Sequence, residues 1–241
     1  MRCQSFVSLM MLAAVGAGCG ADQAEQRPPA LDTPAAAGGR AVSVPEGAAR
    51  QVYTIDAEGS EVYWLISKAG LMARFGHNHV ISAESFTGTV EVDPGDPAAS
   101  RFELEIPVAD LVIDDPALRS RFGEEFASVP SEEDKDGTRQ NMLGENLLQA
   151  DMYPVVRVRG GGPRATDAGD MLPVEIEILG ESFGFDVPGE VAFGDGDLVA
   201  SGEFALDHAD LGLTPFSALG GALQVGPTIE FSYRIRAVQA E

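Results

Sequence analysis

The sequence predicts a mainly β domain in which about eight antiparallel strands curl into a barrel or fold into a sandwich, with one or two short inserted helices. Apolar and polar residues alternate along several segments after residue 50, which is typical of strands with one buried face. Glycine- and proline-rich turns, such as residues 93–97 and 160–163, separate these segments. Only the stretch between Asp114 and Asp151 has a different, helical spacing of its apolar residues.

Most predicted strands present one apolar face. Val62, Trp64 and Ile66 share a face of the first long segment, because side chains two residues apart point to the same side of a strand. The other apolar side chains that we expect to point inward include Phe102, Leu104, Ile106, Phe204, Phe231 and Tyr233. The eight segments are 62–66, 86–92, 102–108, 155–159, 174–178, 183–187, 198–206 and 229–235.

The helical stretch has recognisable start signals. Asp115-Pro116 is a favourable helix start, and the apolar residues that follow recur every four positions, at Leu118, Phe122 and Phe126. The run Ser131-Glu132-Glu133-Asp134 predicts the cap of a second helix that reaches Leu147-Leu148. We expect these helices to cover an opening or an edge of the sheet.

Composition excludes several classes of function. The chain of 241 residues has 44% apolar residues, a globular composition, and a net charge of −22. That charge repels phosphates and anionic headgroups, so the protein is not expected to bind nucleic acid or to reach a membrane through a basic patch. The two cysteines, Cys3 and Cys19, both precede residue 20, so no disulfide is expected within the domain.

The first 19 residues have the layout of a secretory signal peptide, with a short positive start, an apolar run and small residues before Cys19. The end of this segment resembles a bacterial lipobox, which implies that Cys19 is lipidated. Residues 20–50 have the composition of a flexible linker leading to a domain at 51–241. We expect an exported protein at the periplasmic face of the cell envelope, anchored in the membrane by its N-terminal lipid. The alternative is a soluble periplasmic protein released by ordinary signal cleavage.

The domain also resembles a known family, the YceI-like proteins, over roughly residues 51–238. The resemblance lies in Tyr53-Thr54-Ile55-Asp56, Ser60-Glu61-Val62-Tyr63-Trp64, Phe86-Thr87-Gly88-Thr89-Val90, residues 147–154, Ala200-Ser201-Gly202-Glu203-Phe204 and Asp210-Leu211-Gly212-Leu213. It implies a lipocalin-like, eight-stranded antiparallel β-barrel that holds an isoprenoid chain in an apolar tunnel. A polyisoprenoid or a quinone-like lipid is then the expected ligand, and no other cofactor is implied.

A barrel of eight strands can hold one small ligand or be filled by its own side chains. If it holds a ligand, we expect the contacts to come from the inward apolar side chains and from two histidines of one short run. This predicted set is Trp64, Ile66, His77, His79, Phe102, Leu104, Ile106, Phe204, Phe231 and Tyr233. If it is filled, the protein is an envelope interaction module without a ligand.

Three interpretations of the histidines remain open. His77 and His79 can hydrogen-bond to backbone at a strand entrance, with Phe75 and Val80 anchoring the turn, and this is the interpretation we favour. They can instead contact the head group of a ligand, such as a quinone carbonyl. Together with His208 they can also bind zinc or copper, in a metal-binding protein or a metal-dependent enzyme.

Signals of catalysis are weak. The sequence has no Gly-x-Ser-x-Gly motif and no phosphate-binding loop. Asp114 and Asp115 are adjacent carboxylates, but in so acidic a chain we expect them at the surface. We therefore predict a binding protein rather than an enzyme, with no catalytic residues and no metal ligands.

Overall fold

Residues 49–240 are described by a computed structural model, in which antiparallel strands form one curled sheet. The predicted signal peptide, Cys19 and nearly all of the predicted linker lie outside the described residues. The strands are β1 Gln51–Ala69, β2 His79–Ala83, β3 Thr87–Val92, β4 Arg101–Pro107, β5 Val112–Ile113, β6 Val155–Gly161, β7 Arg164–Thr166, β8 Gly169–Ile178, β9 Glu181–Pro188, β10 Glu190–Phe193, β11 Asp197–Asp207, β12 Ser217–Ala218 and β13 Leu223–Gln239. The α-helices are α1 Pro116–Arg119 and α2 Glu132–Leu143.

The strand order shows how the sheet curls into a barrel. Its main path is β10-β11-β13-β1-β3-β4-β6-β8-β7, and β9 pairs with β8 off this path. Only Gly189 separates β9 from β10, and β10 pairs with β11 at the other end of the path. The chain through Gly189 therefore brings the two ends of the sheet together, which selects the barrel over the sandwich.

All eight predicted strands are confirmed, as β1, β3, β4, β6, β8, β9, β11 and β13. The count of eight is too low for the described part of the chain, because it lacks the five shorter strands β2, β5, β7, β10 and β12. Of these, β2 is buried on both faces from Val80 to Ala83. A strand without a polar face shows no alternation in sequence, so periodicity cannot reveal it.

Both predicted helix starts are confirmed. The Asp115 side chain accepts a hydrogen bond from the Leu118 N–H at the start of α1, and Ser131 and Asp134 form a capping box at the start of α2. The second helix ends at Leu143 rather than at Leu148, because the backbone of Gly144 is extended.

Two apolar clusters hold the fold together. The larger one lies inside the curled sheet. The smaller one lies outside it, where Tyr63 and Leu65 of β1 and Val80 of β2 pack against Phe122 and Phe126. The stretch from α1 to residue 126 therefore covers the outer face of β1 and β2, which explains why β1 has large apolar side chains on both faces. Within residues 49–240, no helix combines the length and the apolar character needed to cross a membrane.

Candidate functional site

The inside of the sheet encloses a cavity of about 620 Å³. This volume lies within the range of pockets that bind small molecules. Its walls come from strands around the whole sheet and are mostly aliphatic and aromatic. On β8 the lining runs from Leu172 to Ile178, roughly 20 Å of strand at the usual rise per residue. Phe75 and Phe216 line the cavity and are also exposed to solvent, so they mark where it opens.

All ten residues of the predicted ligand set line this cavity: Trp64, Ile66, His77, His79, Phe102, Leu104, Ile106, Phe204, Phe231 and Tyr233. That each of them binds a ligand stays a prediction. The aromatic members form a group on neighbouring strands, since the Phe231 ring centroid lies 5.9 Å from that of Trp64 and 4.9 Å from that of Phe204. The Tyr233 hydroxyl donates a hydrogen bond to the Pro188 carbonyl at 2.8 Å. Burial raises the pKa of Tyr233 to about 12, so its phenol is neutral at physiological pH.

The two histidines lie at the rim of the cavity, with ring centroids 6.4 Å apart. Pairing of β2 with β1 sets His79 opposite Ile66. The Nδ1 atom of His79 lies 2.7 Å from Oδ2 of Asp114, and Nδ1 of His77 lies 3.2 Å from the Ser128 hydroxyl. The interpretation that both rings hydrogen-bond to backbone is therefore wrong, because each ring contacts a side chain of the connection between β5 and β6 instead.

Asp114 is the least expected part of this site. The acidic composition predicts it at the surface, but it is 1% exposed. Three hydrogen-bond donors surround its carboxylate there and compensate for the loss of water. Oδ2 contacts His79, while Oδ1 accepts hydrogen bonds from the Val80 N–H at 2.9 Å and from Arg119 Nη1 at 2.5 Å. Burial alone would raise the pKa of Asp114, but the hydrogen bonds from His79 and Val80 and the charge of Arg119 lower it below its ordinary value. Asp114 is therefore ionised at neutral pH.

Arg119 completes the buried ion pair. It is 3% exposed and also donates to the carbonyls of Asn78 and Ser128, each at 2.7 Å. One Arg119 bond thus holds the turn before β2, and the other holds the segment before α2. Sequence reasoning missed both Asp114 and Arg119, because their partners lie far away in the chain and no local pattern marks them.

Asn78 and Val80, rather than Phe75, fix the histidine run. Phe75 is 59% exposed, so the expectation that it anchors the turn is wrong, whereas Val80 is 1% exposed. The buried Asn78 side chain accepts from the Lys68 N–H at 3.0 Å and donates to the Glu125 carbonyl at 3.2 Å. These two bonds connect the histidine run to β1 on one side and to the stretch from α1 to residue 126 on the other.

The third histidine has a separate partner. His208 lines the cavity, but its Nδ1 atom donates to the Pro227 carbonyl at 2.7 Å. Across residues 49–240, no group of three His, Cys, Asp or Glu side chains is placed to hold a metal ion. The geometry therefore offers nothing in favour of the metal-binding interpretation.

Comparisons with known proteins agree with this architecture. The model of the YceI-like domain family matches residues 53–237. BcnA from Burkholderia cenocepacia has a similar solved structure, with a TM-score of 0.56 and 14% identity, covering 76% of this chain and 99% of that one. A polyisoprenoid binding domain from Saccharophagus degradans gives a TM-score of 0.52 at 13% identity, covering 79% of this chain and 99% of that one. At these identities the likeness shows the fold alone. Among curated proteins, no match was found.

Proposed function

The chain belongs to the YceI-like family, and we propose that its barrel binds one long apolar molecule, a polyisoprenoid or a quinone-like lipid. The observation that carries this proposal is the cavity of about 620 Å³ with its largely aliphatic and aromatic lining. A similar structure is that of a polyisoprenoid binding domain, which supports the same class of ligand here. Binding, rather than chemistry on the ligand, is the proposed activity.

Apolar burial would supply most of the affinity. A ligand that loses roughly 300 Å² of apolar surface to the cavity gains about 7 kcal/mol, from which the costs of association must be subtracted. Trp64, Phe204 and Phe231 form a ready-made aromatic contact surface on adjoining strands. Because these rings already pack against one another, few side chains must be ordered on binding.

The proposal is tested by the single tryptophan. Trp64 lines the cavity and is the only tryptophan of the chain, so its emission should change saturably when geranylgeraniol is added to delipidated protein. The melting temperature should rise as well, because a ligand that binds only the folded state stabilises it by mass action. Folded protein that shows neither effect with isoprenoids of any length, and that releases no lipid on organic extraction, would be an envelope interaction module without a ligand.

We further propose that the protein is exported and anchored at the periplasmic face of the envelope by lipid on Cys19. The proposal rests on the signal-like residues 1–19 and on the net charge of −22, which leaves covalent lipid as the means of attachment. Replacement of Cys19 by Ala should move the protein from the detergent phase to the aqueous phase of a phase-separation extract. A wild-type protein that is already wholly aqueous, with a mature N-terminus other than cysteine, would contradict the anchor.

A further inference from the structure

The His79–Asp114 pair fixes which ring nitrogen of His79 carries the proton. Asp114 is an ionised carboxylate and can only accept hydrogen bonds. Because its Oδ2 atom lies 2.7 Å from Nδ1 of His79, that nitrogen must be the donor. In neutral imidazole the other nitrogen, Nε2, then has a lone pair and can only accept a hydrogen bond.

Within residues 49–240, no side chain donates a hydrogen bond of good geometry to Nε2 of His79. The nearest hydroxyl, on Thr138, lies 3.5 Å from it, at the limit of a hydrogen bond. That hydroxyl has one proton, and it donates this proton to the carbonyl of Asp134 at 2.9 Å. Since both Thr138 and His79 line the cavity, Nε2 lies at the cavity surface as an acceptor that still needs a donor.

The charges around His79 are mixed. Glu133 and Asp134 of α2 line the cavity near His79. Lys68 also lines the cavity, and its ammonium group, which donates to the Gly76 carbonyl at 3.0 Å, keeps its positive charge. A phosphate placed beside His79 would have to lie next to the two carboxylates, whereas a neutral group would not be repelled by them.

We propose that the polar end of the bound molecule is a neutral hydroxyl, as in a prenyl alcohol, a prenyl phenol or a quinol, and that it donates a hydrogen bond to Nε2 of His79. This inference rests on the proposed function, since it concerns the same cavity. It replaces the quinone carbonyl considered from the sequence, because a carbonyl offers only an acceptor and would face the lone pair of Nε2. The reduced, hydroxyl-bearing form of a quinone-like lipid is therefore the form that binds more tightly.

The test compares geranylgeraniol with its methyl ether, in which a methyl group replaces the hydroxyl proton and so removes the donor. Binding is followed by Trp64 emission. The wild-type protein should bind the alcohol about fivefold more tightly, as one hydrogen bond of ordinary net strength predicts. His79→Phe should bind both probes equally, while His77→Gln, a matched change in the other rim histidine, should keep the fivefold preference. Thr138→Val should keep it too, because the Thr138 proton is not the one that Nε2 accepts.

A second measurement does not depend on any variant. Two-bond ¹H–¹⁵N spectra of the wild-type protein at neutral pH should show His79 protonated on Nδ1. A proton on Nε2, or equal wild-type affinity for alcohol and ether, would overturn the hydroxyl inference and leave apolar binding intact. A preference that survives His79→Phe would also overturn it. Failure of both probes to bind the folded protein would instead overturn the proposed function.

Discussion

Replacement of Asp114 by Asn should cost the protein about 3 kcal/mol of unfolding free energy at neutral pH. The change removes the charge opposite Arg119, which is 3% exposed and keeps only carbonyl partners. Breaking a buried pair by removing one partner costs about 3–5 kcal/mol. We expect the low end of this range because Asn can still accept from the Val80 N–H, and because it tolerates the left-handed backbone at this position, where φ is 54°.

The neighbouring carboxylate provides a matched control. Asp115 accepts one hydrogen bond at the start of α1, and Asn caps helices as well as Asp does, so Asp115→Asn should change stability by less than about 0.5 kcal/mol. Urea unfolding followed by circular dichroism measures both variants. For a domain of this size, the loss from Asp114→Asn corresponds to a fall in melting temperature of roughly 6–12 °C.

The pH dependence of this loss has a definite sign. The folded-state pKa of Asp114 lies below its ordinary value of 3.8, so its stabilising contribution is fully present above that value. The contribution is lost as the pH falls through the folded pKa, and the stabilities of wild type and Asp114→Asn should then converge. If wild type and Asp114→Asn are equally stable at neutral pH, or if the difference between them persists unchanged in acid, the buried ion pair does not stabilise the fold.

Three other outcomes are expected. Ala200→Phe adds a ring to the cavity lining and should weaken the fluorescence response to geranylgeraniol; overpacking can itself cost about 1–3 kcal/mol, so stability without ligand is measured alongside. Gly202→Ala should destabilise the fold by more than about 1 kcal/mol in urea, because a Cβ there lies 2.2 Å from the Pro188 carbonyl, whereas Gly137→Ala inside α2 meets no atom within 4 Å and should stabilise by about 0.5–1 kcal/mol. Purified protein should contain no stoichiometric metal by elemental analysis, and chelation should leave its melting temperature unchanged; metal that stays bound through dialysis would revive the histidine site.

The alternation of apolar and polar residues was enough to predict the longer strands. Of the strands that it missed, β5, β7, β10 and β12 have only two to four residues, too few to show a period, and β2 is covered on both faces. Where a strand has a single buried face, as in β4, the sequence alternates visibly and the prediction succeeds. Where both faces are covered, as in β2, every residue from Val80 to Ala83 is buried and no period remains. Phe122 and Phe126, which cover β2, lie some forty residues later in the chain, so the sequence near β2 does not show that its outer face is buried.

The candidate site also has one part that the sequence predicts and one part that it does not. The apolar lining was predictable because inward positions of a barrel follow from a period of two. The polar rim was not, since it depends on pairs that are distant in sequence, such as His79 with Asp114 and Asn78 with Arg119. An acidic chain offers many carboxylates, and composition alone favours the surface for each of them. Only the three-dimensional arrangement distinguishes Asp114 from its neighbour Asp115.

The buried network gives the rim a rigidity that the loop alone would lack. Arg119 bridges the turn before β2 to the segment before α2, and Asp114 holds both Val80 and His79. His79 therefore has a fixed ring orientation before any ligand arrives, and a side chain that is already ordered loses little entropy on binding. The Asp114→Asn change should thus reduce ligand selectivity as well as stability. If the Asn oxygen keeps the Val80 N–H, its NH2 group faces Nδ1 of His79 and donates to it, so the imidazole proton moves to Nε2, which then no longer accepts a hydrogen bond from a hydroxyl. In Asp114→Asn protein that is still folded at low temperature, the fivefold preference for the alcohol over the methyl ether should shrink towards unity; an unchanged preference would mean that Asp114 has no part in setting the His79 proton.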